Sequence, residues 1–282
     1  MTTLDHKIDF AVIFSVHNAN PNGDPLNGNR PRQNYDGYGE VSDVCLKRKI
    51  RNRLQDMGEK IFVQSDDRVN DGFKSLNDRA DSVPELKKIK SDKKGNADEF
   101  AKIACENWFD VRAFGQVFAF KGDSLSVGVR GPVSLHPAIS LQPVDITSIQ
   151  ITKSVNSVTG DKKGSDTMGM KHRVDFGVYK FVGSINTQLA EKTGFTNEDA
   201  EKFKEALITL FENDASSARP EGSLEVHKVY WWEHNSKLGQ YSSAKVHRTL
   251  QVEMPEDAKE FKDVTIFLSE LEGLKVYEFD GK

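Results

Sequence analysis

Residues 8–16 read IDFAVIFSV, and residues 17–32 continue HNANPNGDPLNGNRPR. The first run is apolar almost throughout, with the length and β-branched content of a strand buried on both faces. The second spends its Asn, Gly and Pro residues over a far longer stretch than the two to five residues or so of an ordinary turn. It ends with Arg30 and Arg32. Long ordered loops on a rigid scaffold are where binding residues concentrate, so this loop is expected to hold something.

Moving outward, Ser42 is a candidate N-cap and Gly58 a candidate C′ residue, and together they bracket a helix. Leu46, Ile50, Leu54 and Met57 recur at helical spacing as its buried stripe. At about 100° per residue, Lys47 and Arg51 fall on one flank, Lys49 and Arg53 on the other, and Arg48 opposite. The pattern predicts a helix that packs by one face and presents cations around the rest. Those cations are either a solvated face or a surface for phosphates.

Residues 60–96 are polar and read as an insertion or mobile loop, with a solvated lysine-rich run at ELKKIKSDKKGN. ADEFAKIACENWFDVRAFGQVFAF reads as helix-like, with Phe100, Ile103, Ala104, Trp108 and Val111 near one face, and SLSVGVRGPVSL as a strand. Residues 136–173 read as a hairpin-like arm. ITSIQITKSV alternates, NSVTGDKKGSD supplies a Gly- and Lys-rich tip, and TMGMKHR leads back. VDFGVYKFVGSIN is a stronger strand with Gly177 and Gly183 as candidate bulges. Thr196 and Asp199 form a capping box opening a helix whose stripe is Phe203, Leu207, Leu210 and Phe211. SLEVHKVYWWEH and DVTIFLSE are the last expected strands before an acidic end.

The resulting order is strand, helix, strand, arm, strand, helix, strand. That is the split βαβ order of the ferredoxin-like fold, an α+β class shared with the RNA-recognition motif (RRM), which lays RNA across or beside its sheet. It places the Asn/Gly loop at the end of the first strand, beside the cationic helix.

Composition sets the outer bounds. At 282 residues the chain suits about two domains, or one domain with large insertions, and its 37% hydrophobic and 29% charged residues suit a globular protein with a sizeable core. No apolar run approaches the roughly 18–20 residues that span a bilayer. The charged start MTTLDHKIDF has no signal-peptide core, so a cytoplasmic location and no membrane partner are expected. Cys45 and Cys105 match no zinc or redox spacing, which suits a reduced compartment. The net charge is −4, but it is unevenly spread. VCLKRKIRNRLQDM holds five basic residues against one acid, whereas residues 250–282 hold nine acids against four lysines. A phosphate binder is recognised by a local patch, so the total excludes neither RNA nor DNA.

Catalytic patterns are sparse. The seven histidines form no HExxH or Cys/His cluster, and there is no phosphate-binding GxxxxGK[ST], no dinucleotide fingerprint and no GxSxG elbow. No metal and no cofactor are expected. Cys45 sits among cations but beside Leu46, which favours a packed thiol. His17 is either a general base for RNA cleavage or a hydrogen-bonded loop anchor. What remains is binding of a phosphodiester backbone. The loop amides serve as anion nests, Lys47, Arg48 and Arg51 as phosphate contacts, and Lys171, His172 and Arg173 as the arm's cations. Met168 is a flexible apolar wedge beside them. With no RNP-type aromatic signature, such a set reads backbone shape rather than base identity.

The blocks ANPNGDPLNGNRPR, VSDVCLKRKIRNRL, DVRAFG, VRGPVSL, TMGMKHRVDFGVYKFVGSIN, AEKTGF and SSAR stand in an order that resembles the crRNA-binding backbone subunit of the type I-C CRISPR Cascade surveillance complex, of the RAMP superfamily. The resemblance spans residues 8–230 or so; the lysines near 87–94 and the acidic end lie outside the pattern. It implies a single modified RRM/ferredoxin-like palm. Finger and web insertions fall at roughly 60–105, a thumb at roughly 136–173, and a C-terminal extension at roughly 240–282. Copies would stack head to tail along one CRISPR RNA. Each thumb would cross the guide, displace a nucleotide and divide the guide–target duplex into segments, while base pairing reads the sequence. The implied partners are CRISPR RNA, the target DNA strand paired to it, other copies of the chain and the other type I-C Cascade subunits. A recruited helicase-nuclease that cuts the DNA would be an indirect partner, and the chain itself no enzyme.

By the same resemblance Asn18, Asn20, Lys47, Arg48 and Arg51 would grip phosphates, and Met168, Lys171 and His172 would lie near the displaced nucleotide. Arg112 in DVRAFG and Arg219 in SSAR either join them or brace loops by internal ion pairs. Two rival readings stand beside this one: an RRM-fold precursor-RNA endoribonuclease using His17, and a self-associating scaffold whose cationic helix meets acidic C-terminal segments of neighbours.

Overall fold

The opening strand, Ile8–Ala19, is buried from Ile8 to Val16 because it is central in an antiparallel sheet. The computed structural model describes residues 2–92, 95–120, 125–152, 159 and 168–282. On one side the opening strand pairs with Met168–Ile185, and on the other with Leu224–Glu233. Beyond Met168–Ile185 lie Val133–Leu135 and Ala138–Pro143, and then the edge strand Tyr38–Val41. The strand Lys275–Asp280 closes the opposite edge. The four core strands thus follow the expected split βαβ order, and the α+β class is met.

Two long helices cover one face. Asp43–Asp56 starts where Ser42 accepts from the Cys45 N–H, and Gly58 follows its end at φ 91°. Asn197–Ile208 opens with the Thr196/Asp199 capping box. Leu46, Ile50, Leu54, Phe203 and Leu207 pack with Phe10, Phe14, Phe181 and Trp231 in the main core. Among the described residues no helix is long and apolar enough to cross a membrane.

Gly177 and Gly183 are not bulges. Both stand in unbroken register with the opening strand, opposite Val16 and Phe10. The irregularity is on that strand's other side, between Ile13 and Phe14. Gly183 answers to crowding instead, since a Cβ there would fall 2.3 Å from Phe10 Cζ and 2.4 Å from Ser134 O. Gly183→Ala is expected to destabilise the chain by about 1–3 kcal/mol, the usual overpacking range. An unchanged urea midpoint would show that the sheet yields there.

Residues 60–96 depart most from expectation. They form helices Leu76–Asp81 and Pro84–Ser91, which join Ala97–Asn107 around a second core of Phe62, Leu86, Phe100, Trp108 and Phe118. The polarity that suggested a loop conceals a buried cation. The Arg79 guanidinium is 3% exposed and donates to Asp71, to Phe62 O and to Phe73 O. The long helix expected after it is broken at Trp108, which is extended, and resumes as Phe109–Phe114.

The arm begins later in the chain than expected and is continuous with the core. Ala138–Pro143 belongs to the main sheet, so the free hairpin consists of Ile146–Thr152 paired with the first residues of the 18-residue strand Met168–Ile185. The expected Gly/Lys tip falls almost wholly outside the described residues.

The acidic C-terminal segment covers the sheet's second face. Tyr241, Val246, Leu250, Phe261 and Ile266 pack over Ala11, Ile13, Val178, Tyr230 and Trp232. Most of the surface across which an RRM lays RNA is therefore occupied by this chain's own residues.

Candidate nucleic-acid interface

Three segments far apart in sequence meet at the base of the arm, around a cleft of about 440 Å3. The Asn/Gly loop contributes Asn20, Gly28 and Asn29, the arm contributes Ile151, Met170, Lys171 and His172, and the SSAR turn contributes Ser217 and Ala218.

The loop is shaped by its own polar groups. Asn20 is 4% exposed; its Nδ2 donates to Asn29 O at 2.7 Å and its N–H to Ala218 O at 2.9 Å. Gly28 and Asn29 take left-handed φ values of 58° and 60°, where glycine and asparagine are the favoured residues. Asn22 Oδ1 accepts from the Ser42 N–H and hydroxyl, tying the loop to the first helix. Arg30 Nη1 donates to Ser148 Oγ at 2.9 Å, and the same hydroxyl is 2.8 Å from His172 Nδ1. Loop and arm are thus joined through one serine.

The arm's register sorts its side chains. Met168, Met170 and His172 share one face with Thr152, Gln150 and Ser148, while Lys171 and Arg173 share the other with Ile149 and Thr147. Met168 is 62% exposed and Met170 53%, and Ile149 and Ile151 are also exposed. A two-stranded ribbon showing apolar side chains on both faces has no core of its own to bury them, which marks a contact surface. Arg173 Nε lies 3.4 Å from Asp175 and leaves Lys171 as the arm's more open cation. Asn18, at φ 49°, is exposed near the end of the opening strand.

The first helix does not present its cations freely, which corrects the expected charged surround. Lys49 is buried against Asp214, and that burial pulls its pKa down. Arg51 Nε donates to Asp110 Oδ2 at 2.9 Å with its guanidinium over the Phe114 ring. Arg48 Nη1 donates to Val63 O at 2.6 Å, Arg53 meets Glu212 at 2.6 Å, and Lys47 pairs with Asp43 one turn away at 3.1 Å. Arg112 grips both oxygens of Asp199, at 3.0 and 2.7 Å, and Arg219 donates to Asp214 at 3.1 Å. Of the two readings open for Arg112 and Arg219, each side chain adopts the ion pair. Apart from Lys47, whose partner is on the same helix, the helix cations act as clamps onto neighbouring elements. Their acids lie mostly in distant segments, so no local pattern announces them.

Neither cysteine has reactive surroundings. Burial raises the pKa of Cys45, whose Sγ faces Pro21 O, and lifts that of Cys105 to about 12. His17 lies with its ring against Phe176, centroids 4.6 Å apart. Among the described residues no group of three or more His, Cys, Asp or Glu side chains could hold a metal ion.

Arg30, Met170, Ile149 and Ile151 escaped the sequence reading as site residues. The alternation in ITSIQIT was visible, but only the pairing with residues 168–174 shows that its apolar side chains face outward.

A family model described as CRISPR-associated protein Cas7 matches residues 6–269. The CRISPR-associated protein Cas7 of Haloferax volcanii is 27% identical over 294 residues, covering 96% of this chain and 83% of its own. A solved chain described as a CRISPR RNA-guided surveillance complex, pre-nicking, shares 18% identity over 80% of this chain and 75% of its own, at a TM-score of 0.49. A second, described as a CRISPR RNA-guided surveillance complex, shares 14% identity over 80% of this chain and 68% of its own, at a TM-score of 0.44.

Proposed function

The chain belongs to the Cas7 family of CRISPR-associated proteins, and from that premise we propose that it is a CRISPR RNA-binding backbone subunit of an RNA-guided surveillance complex, of the type I-C kind. The subtype rests on the seven sequence blocks that resemble the type I-C subunit. The observation that carries RNA binding is the convergence of the Asn/Gly loop, the arm base and the SSAR turn on one cleft. Lys171 and His172 there, with Arg30 alongside, take the phosphates, and loop amides supply further donors. Met168, Met170 and the outward isoleucines supply apolar surface for a displaced base.

In this reading the main sheet and its helices are the palm, the second core is the finger and web, and the hairpin beyond Val174 is the thumb. Copies stack along the guide, and target DNA pairs with the segments left between thumbs. The subunit holds RNA and leaves cutting to a recruited helicase-nuclease.

The test is purification after expression with and without a CRISPR array. RNase-protected RNA with evenly spaced accessible sites is expected only with the array. A nucleic-acid-free monomer from both preparations would overturn the reading, and array cleavage abolished by His17→Ala would favour the nuclease. A second measurement locates the grip. Lys171→Ala with Arg173→Ala should reduce the slope of log K against log[salt] by about 0.7 per lost single-strand contact. An unchanged slope would remove the arm base from the phosphate path.

A further inference from the structure

The C-terminal segment covers the second face of the sheet, with Phe176 half-buried at the margin of its cluster, and leaves His17 exposed near the end from which the arm departs. There His17 and Phe176 are cross-strand partners, with rings 4.6 Å apart and inclined at 42°. His17 is exposed and Phe176 half-buried, so the pair forms an aromatic step open on its outer side. On the strand next to it, His227 meets Ser15 Oγ at 2.8 Å and carries the Phe261 ring flat upon it, 3.7 Å away and within 4° of parallel. This end of the sheet already holds one planar ring by face-to-face stacking, supplied by the chain itself.

The step leads directly into the arm-base cleft. Asn20, just past the end of the opening strand, follows His17 by three residues, and His172 precedes Phe176 by four on the neighbouring strand. The charges divide accordingly. Lys171 and Arg173 lie toward the arm, whereas Glu225 stands 3.8 Å from His227 Nδ1 on the sheet side. Phosphates are drawn to the first group, and the carboxylate can accept from the N–H edge of a base.

We propose that His17 and Phe176 form a stacking subsite for one unpaired nucleobase of the RNA strand held in the arm-base cleft. The proposal rests on the RNA-binding reading above and adds to it a contact with a base. Stacking on aromatic side chains tolerates every base, because each has a π face, so the subsite fits a protein that accepts any guide. No RNP motif marks it, since the two rings belong to strands far apart in sequence.

The test uses the full chain and single-stranded RNA carrying 2-aminopurine at one position at a time. Wild type is expected to quench the probe at one position per protomer footprint. His17→Ala and Phe176→Leu should each abolish that quench and weaken binding about tenfold, with the salt slope unchanged. His17→Phe should restore the quench, which a merely structural role would not produce. His17 is exposed, so its alanine variant is expected to keep the wild-type thermal midpoint. Quench and affinity retained in both variants would overturn the subsite while leaving RNA binding standing. Wild type that shows no salt-dependent RNA binding would overturn both.

Discussion

Asp110→Ala is expected to lower unfolding stability by about 3–5 kcal/mol, the range for breaking a buried charge pair by removing one partner. Asp110 is fully buried at the seam between the two cores. Its Oδ1 accepts from the Phe62 N–H at 2.7 Å, and its Oδ2 from the Val63 N–H at 3.0 Å and from Arg51 Nε at 2.9 Å. Alanine would leave two amide donors without their acceptor and a guanidinium, whose side chain is 13% exposed, without its counter-charge. Arg51 belongs to the helix of the main core, and Phe62 to the second core. The loss should therefore also uncouple them, giving a urea curve with two transitions in place of one. A single transition at the wild-type midpoint would show that the seam does not depend on this carboxylate.

Asp9→Ala is expected to have an effect of similar size, confined to the C-terminal segment. Asp9 is fully buried in the opening strand, its Oδ2 accepting from His234 Nε2 at 2.8 Å. His234 Nδ1 accepts from the Gln240 N–H at 2.9 Å, which leaves Nε2 as the donor to Asp9. Lys7 lies 3.3 Å from the same carboxylate, and His247, on the covering segment, 3.7 Å. Burial pushes the Asp9 carboxyl up, but hydrogen bonds from His234 and Ser243 and the charges of Lys7 and His247 outweigh it, and the pKa ends below the usual value. Burial also lowers the pKa of His247 and of His227, the residue stacked beneath Phe261.

The signs agree. A carboxyl with a depressed pKa contributes stability above its unfolded value of about 3.9, which is lost as pH falls through the folded value. A histidine with a depressed pKa contributes stability above about 6.5, which is lost as pH falls toward its folded value. Acidification from pH 7.5 should first lower the hydrogen-exchange protection of residues 235–282, relative to the intrinsic rate at each pH, below about pH 6.5. The carboxylate's contribution should follow below about pH 4. Protection lost evenly over the whole chain would contradict this order.

The main sheet and its two long helices were legible because they are periodic and capped. Ser42, Gly58 and the Thr196/Asp199 box stand where local chemistry puts them. The second core was not, because polar helices surround a small set of aromatics and a buried Arg79, whose bond to Phe62 O spans 17 residues. For the site, the loop, the arm and the SSAR turn could be named from sequence, and the cleft brings them together. The helix cations could be counted, but Asp110 and Asp214, which occupy Arg51 and Lys49, lie 59 and 165 residues away. The His17–Phe176 step was hidden for the same reason, being a matter of register between distant strands.

The strand Met168–Ile185 belongs to arm and core without a break. Side chains alternate along it, so the core fixes which of the arm's residues share the methionine face and which the lysine face. One residue inserted just before Val174 would exchange the methionine face for the lysine face while leaving the main sheet untouched. Insertions at the base of the arm that keep both surfaces must therefore come in even numbers in each strand, whereas changes toward the tip leave the faces below them as they are. The sheet imposes a parity rule on the evolution of a hairpin that lies outside it.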